Sequence, residues 1–132
     1  MCGLEPKDFD IATDATPEQV RKTFKASRII WRRFKLVHVF NRSELIEVAT
    51  FRSGEDSSNN GNLIKDTSGK IIRDNIWGDL EQDTYRRDFT VNALYYCPIS
   101  QKIVGHKDGM KHIHEKSIVS IGDPVKRFSE DP

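Results

Sequence analysis

Residues 34–51, "FKLVHVFNRSELIEVATF", commit the chain to a β-sheet. Two runs rich in Val, Ile, Leu and Phe flank Asn41, Arg42 and Ser43, the pattern of a β-hairpin. In the second run Glu47 lies between Ile46 and Val48, on the face it shares with Leu45 and Ala49. An acid there is unexpected on packing grounds alone. In the first run His38 alternates with Val37 and Val39 and reads as a strand residue whose hydrogen bonds are satisfied.

A second strand is written upstream. In "KDFDIAT", residues 7–13, Asp8, Asp10 and Ala12 face one way and Phe9, Ile11 and Thr13 the other, the two-residue period of a strand. A helix start follows: Thr16 suits the N-cap, Pro17 the first helical position, and Gln19 completes a capping box. Val20 and Phe24, four apart, are expected to form its buried stripe. Residues 53–70 have loop composition, and their "SGK" is no phosphate loop because the upstream glycine spacing is wrong. From Leu80 to Tyr96 the pattern is helical, charged first and apolar after. "KIVGH" reads as a short strand, "GMKHIHEK" as a short helix or turn, and "SIVSIGDP" as an apolar strand ended by Gly122 and Pro124. Ser129 reads as the N-cap of a helix starting near Pro132. No internal repeat or domain boundary is apparent, and the length suits one domain with a modest core.

Charge narrows the function. Twenty-one Lys and Arg nearly balance twenty Asp and Glu, so there is no global electrostatic footprint for nucleic acid. Any polyanion must be held by a local patch or a divalent metal. The two cysteines, Cys2 and Cys97, are too few for a disulfide framework and lack ligand spacing, which suggests a reducing cytoplasm. No run reaches the length of a membrane span and no signal pattern opens the chain. His106, His112 and His114 fit no standard zinc ligand set.

Same-face residues two apart on a strand have Cα atoms roughly 6.5 Å apart. Two such carboxylates repel, and burying them unpaired is costly. Mg²⁺ removes the conflict, since it takes one or two carboxylates plus substrate phosphates and water. A second metal about 4 Å away would activate a hydroxyl and stabilise a leaving pyrophosphate. Glu47 is the third ligand if its strand lies beside that of Asp8. The same acids also suit solvated positions on an edge strand, and Glu47 a hydrogen-bonded structural role. Both readings stay open on spacing alone.

The chain resembles bacterial poly(A) polymerases and the similar class II tRNA nucleotidyltransferases, the CCA-adding enzymes. The resemblance rests on "KDFDIATDATPEQV", "RRFKLVHV", "IEVATFR", "RDNIWGDLEQDTYRRDFTVNALYY" and "IGDP…RFSEDP". It implies an α/β (α+β) nucleotidyltransferase head: a mixed sheet with helices on one side, transferring AMP from ATP to an RNA 3′ end with Mg²⁺. By the same resemblance Asp8 and Asp10 are the metal-binding acids and Asp88 belongs to the active site. Arg86, Arg87, Asp88 and Asn92 contact the nucleotide, and Arg52 is a further phosphate-contact candidate. Without the resemblance, Arg86 and Arg87 read as helix-surface cations paired with Glu81 or Asp83. The segment "RIIWRRFKLVHV", with Arg32, Arg33, Phe34 and His38, favours the poly(A) polymerase branch.

Several positions depart from the family pattern. Trp31 stands where glycine is usual. Gly105, Asp108, His112 and Lys116 replace its usual aspartates and glycines. The Gly-Gly turn expected upstream of the aspartate strand is missing, as are the RNA-binding helices expected downstream. A piece truncated at both ends, with little activity of its own, is therefore expected. The rivals are a CCA-adding enzyme and a non-catalytic module that binds nucleotide or RNA weakly.

Overall fold

The computed structural model describes residues 9–31, 35–42, 44–53, 64–65, 71–73 and 77–130. Four strands form one sheet: β1 (Asp10–Thr13), β2 (Ser27–Trp31), β3 (Lys35–Asn41) and β4 (Glu44–Thr50), in the order β1-β4-β3-β2. The expected hairpin is β3–β4, with Asn41 opposite Glu44 and Arg42 at φ 56° in the turn between them. β1 joins β4 in parallel and the other pairings are antiparallel, so the sheet is mixed.

One face of this sheet is packed. Val37, Val39 and Val48 meet Val20 of α1 (Pro17–Thr23), with Ala15, Ile29 and Ile46 around them. α1 begins as its sequence dictates: the Thr16 hydroxyl accepts from the Gln19 N–H, and the Gln19 side chain accepts from the Thr16 N–H. The predicted stripe is only half realised. Val20 is buried, whereas Phe24 is the C-cap, with an extended backbone, and is half exposed. The helix ends one residue too early for Phe24 to continue its face. The opposite face of the sheet is open: Leu45, Glu47 and Ala49 of β4 are all exposed.

Beyond β4 the chain passes through two short strands, β5 (Ile64–Lys65) and β6 (Ile71–Arg73), which pair with each other. The rest of the expected loop over 53–70 lies largely outside the described residues. Arg52 then bridges to Trp77 in antiparallel fashion, and the Gly78 N–H donates to Phe51 O at 2.9 Å. A Cβ on Gly78 would stand 2.6 Å from Ser53 N and 2.7 Å from Arg52 C, so this close approach requires glycine.

The predicted helix over Leu80–Tyr96 is not continuous. α2 covers Leu80–Tyr85, a 3₁₀ turn Thr90–Asn92, and β7 runs from Leu94 to Cys97. The aromatic and β-branched residues of this segment favour extended backbone, and Phe89 leaves the helical region at φ −120°, ψ 148°. The expected short strand is β8 (Lys102–Gly105), which pairs with β7 as a hairpin, and the expected short helix is α3 (Gly109–His114), which packs on the 3₁₀ turn. The expected strand over Ser117–Pro124 reduces to one bridge, Ser120 with Phe89. Its partner segment turns into the 3₁₀ helix immediately after Phe89 and offers nothing longer to pair with. The last helix, α4, runs from Pro124 to Glu130 rather than starting after Ser129. Asp123 accepts from the Val125 N–H, and Pro124 takes the first helical position. Among the described residues no helix is long and apolar enough to cross a membrane.

What binds α2, the following turn and β7 to the end of β4 is Asp83. Its side chain is nearly inaccessible, at 2% exposure. Oδ1 accepts from the Arg52 backbone N–H at 2.9 Å and from Arg86 Nε at 2.9 Å. Oδ2 accepts from Arg87 Nε and Nη2 at 3.2 and 3.0 Å and from the Tyr95 hydroxyl. Burial alone would raise the Asp83 pKa. The Tyr95 hydroxyl, the Arg52 N–H and the Arg86 guanidinium more than reverse that, lowering it from 3.8 to about 2.

Two outcomes follow. Asp83→Ala leaves two adjacent guanidiniums without their acid, and is expected to cost about 3–5 kcal/mol in chemical denaturation at neutral pH. In the wild type the depressed pKa stabilises the fold by about 2 kcal/mol above the unfolded-state value. That contribution is lost as pH falls from near 4 through about 2. Denaturation midpoints measured between pH 6 and 2 should show this loss in the wild type and not in Asp83→Asn.

Candidate active site

Strand register assembles a polar row across the open face of the sheet. In the parallel β1–β4 pair Asp10 is the Cα partner of Glu47. In the antiparallel β3–β4 pair Glu47 is opposite His38, and across β2–β3 His38 is opposite Arg28. Four neighbouring strands thus contribute Asp10, Glu47, His38 and Arg28 to one line. Asp10 and Glu47 are exposed. The Nε2–H of His38 donates to Glu47 Oε1 at 3.0 Å. The strand of Glu47 lies beside that of Asp10. Asp8 lies outside the described residues, as do Arg32, Arg33 and Phe34.

The second group sits just after α2. Asp88 is exposed, and its Oδ1 accepts from the Phe89 N–H at 2.7 Å and from Asn92 Nδ2 at 3.2 Å. Asn92 lies on the 3₁₀ turn four residues on, which brings its amide back to Asp88. Arg86 and Arg87 are both drawn onto Asp83; the Arg86 side chain is 16% exposed and that of Arg87 33%. Burial would lower the Arg87 pKa, but the Asp83 charge, the Tyr95 phenol and the hydrogen bonds to both together reverse it, and the net shift is upward. The Arg87 guanidinium also lies 5.7 Å from the centre of the Tyr95 ring, in reach of a cation–π contact. The pairing of both arginines with Asp83 matches the reading made from spacing alone. Arg52 is half-buried and joins this group through its backbone N–H. The two groups are thus linked through β4, which carries Glu47 on the sheet and leads into Arg52 at the Asp83 cluster.

The burial of Asp83, the reach of Tyr95 and the His38–Glu47 contact were not read from the sequence. Asp83 stands three and four residues before the two arginines, spacings that face each other on a helix, but nothing local marks it as buried. Tyr95 is brought to it by β7, a strand where a helix was expected. The His38–Glu47 contact was within reach, because the two-residue turn between Asn41 and Glu44 sets the register that makes these two opposite.

The donor set suits a hard cation. Asp10 and Glu47 offer carboxylate oxygens at one register on an open face, and His38 occupies only Oε1 of Glu47. Among the described residues no three His, Cys, Asp or Glu side chains form a complete metal cage. A pair of carboxylates is the protein share usual for Mg²⁺, which completes its shell with water and phosphate oxygens.

Comparison with known proteins identifies the family. The family described as "Poly A polymerase head domain" matches residues 1–119. The chain is 45% identical over 134 residues to poly(A) polymerase I of Haemophilus influenzae, covering 100% of this chain and 30% of that one. It is 34% identical over 131 residues to the CCA-adding enzyme of Bacillus pumilus, covering 99% of this chain and 30% of the other. The solved structure of the Bacillus stearothermophilus CCA-adding enzyme in complex with CTP is similar at a TM-score of 0.74 and 29% identity, over 98% of this chain and 28% of that one. The chain therefore spans about three tenths of the length of the curated relatives it matches. With its mixed sheet and its "DFD" and "RRDFTVNALYY" sequences, it belongs to the poly(A) polymerase head-domain family.

Proposed function

We propose that this chain is the catalytic head of a polynucleotide adenylyltransferase, acting on ATP and an RNA 3′ end. The observation that carries the reading is the register of Asp10 with Glu47 on the open sheet face, in a chain of this family. In the reaction the RNA 3′ oxygen forms a bond to the α-phosphorus of ATP. The bond from that phosphorus to the bridging oxygen breaks, pyrophosphate leaves, and the hydroxyl proton is released. Mg²⁺ held by Asp8, Asp10 and Glu47 would supply charge stabilisation for the triphosphate and acidify the attacking hydroxyl.

The remaining residues bind and orient. Asp88 directs Oδ1 to Phe89 and Asn92, which leaves Oδ2 to accept from a ribose 2′-hydroxyl. Arg86 and Arg87 share one carboxylate, Asp83, so the cluster keeps an excess positive charge suited to phosphate. Arg52, beside them, belongs to the same phosphate-facing set. The preference for ATP follows the higher identity to poly(A) polymerase I. A CCA-adding activity is the second reading, favoured by the likeness to the structure solved with CTP. A cytoplasmic setting belongs to the same proposal.

Calorimetric titration with ATP and Mg²⁺ tests the site. The double variant Asp8→Ala with Asp10→Ala should lose at least about tenfold in affinity, or 1.4 kcal/mol. An unchanged affinity would favour a nucleotide- or RNA-binding module without catalysis. Supplying an RNA primer with ATP alone, or with CTP plus ATP, to a full-length relative separates the two enzymatic readings by product. A long A tail is expected, and a short CCA end would reverse the assignment.

A further inference from the structure

The open face of the sheet carries a contact that the assigned roles do not use. His38 projects from β3 onto Glu47 of β4, its Nε2–H donating to Oε1 at 3.0 Å. The imidazole is mostly covered, with 18% of the side chain exposed, while the carboxylate is 49% exposed. A hydrogen-bonded pair so open on its acidic side contributes little to stability. The face around it is largely apolar: Leu36 and Phe40 flank His38 on its own strand, and Leu45 and Ala49 flank Glu47. An imidazole is thus placed among apolar neighbours, at the one register where it meets the acid beside Asp10.

We propose that His38 is a positioning residue that holds the Glu47 carboxylate in place for the divalent cation. By taking Oε1, His38 limits rotation of the carboxylate and leaves Oε2 as the ligand atom, at the register shared with Asp10. A carboxylate fixed by a hydrogen bond binds metal with less ordering to complete, and loss of such a partner typically weakens metal affinity about 10–100-fold. The inference rests on the reading that Asp10 and Glu47 bind the cation, and its test separates the two.

The probe is Mn²⁺, titrated into the 132-residue chain in the presence of ATP and followed by electron paramagnetic resonance. Thermal melts without metal are recorded for every variant. His38→Ala is expected to weaken Mn²⁺ binding about 10–100-fold. His38→Gln, which can place an amide N–H near the position of Nε2, should restore most of it. In a Glu47→Gln background, His38→Ala should have no further effect. Should Asp10→Asn and Glu47→Gln weaken binding while His38→Ala equals wild type, the positioning role is overturned and the metal reading stands. Affinity that merely tracks melting temperature, with Gln no better than Ala, also overturns it. If none of the variants changes Mn²⁺ binding, or the wild type binds none, both readings fall.

Discussion

One buried carboxylate draws the end of β4, α2 and β7 to a common point. Asp83 gathers the backbone N–H of Arg52, two guanidiniums and a phenol around two oxygens. Desolvating an acid is expensive unless every lone pair is engaged, and here charge-assisted donors surround it. The arrangement dictates where the chain can go. Arg86 and Arg87 reach Asp83 at helical spacing from the end of α2, and β7 must pass close enough for Tyr95 to reach in. Asp88 follows directly, and the turn that presents it is therefore set by a residue that never meets solvent.

The sheet divides its labour by face. Val37, Val39 and Val48 pack against α1 on one side, which stabilises the strands and defines their register. On the other side that same register lines up Asp10, Glu47, His38 and Arg28. A shift of one residue in β4 would turn Glu47 into the valine layer and Val48 to solvent. The burial of one face thus keeps the acids together on the other. Apolar packing does the positioning, and polar chemistry uses it.

Much of this was legible in the sequence where local chemistry decides the structure. The Thr16–Gln19 capping box, the hairpin about Arg42 and the alternation through Glu47 were all read correctly, because each depends on residues within a few positions. The helix expected over Leu80–Tyr96 breaks where Phe89 turns extended, and the aromatic residues after it form β7. Phe24 was placed in the core by spacing, although α1 ends before it. The segment over Ser117–Pro124 has the apolar run of a strand and lacks a long enough partner. In the candidate site, Asp10 beside Glu47 could be anticipated from pattern. The bond from His38 needed the register counted across the turn, and the depth of Asp83 needed the fold.

β1 is one of two edge strands among the described residues and the shortest of its sheet, with Ile11 about half exposed and Phe9 just before it largely exposed. It has little apolar burial to resist fraying, and its partner Glu47 lies thirty-seven positions along the chain from Asp10. Local opening should begin at such an edge. Under the proposed reading, a cation gripped jointly by Asp10 and Glu47 would clasp this loose margin to its neighbour. Substrate-laden metal would then do for the margin of the sheet what the valine layer does for its centre, and occupancy would be felt as rigidity.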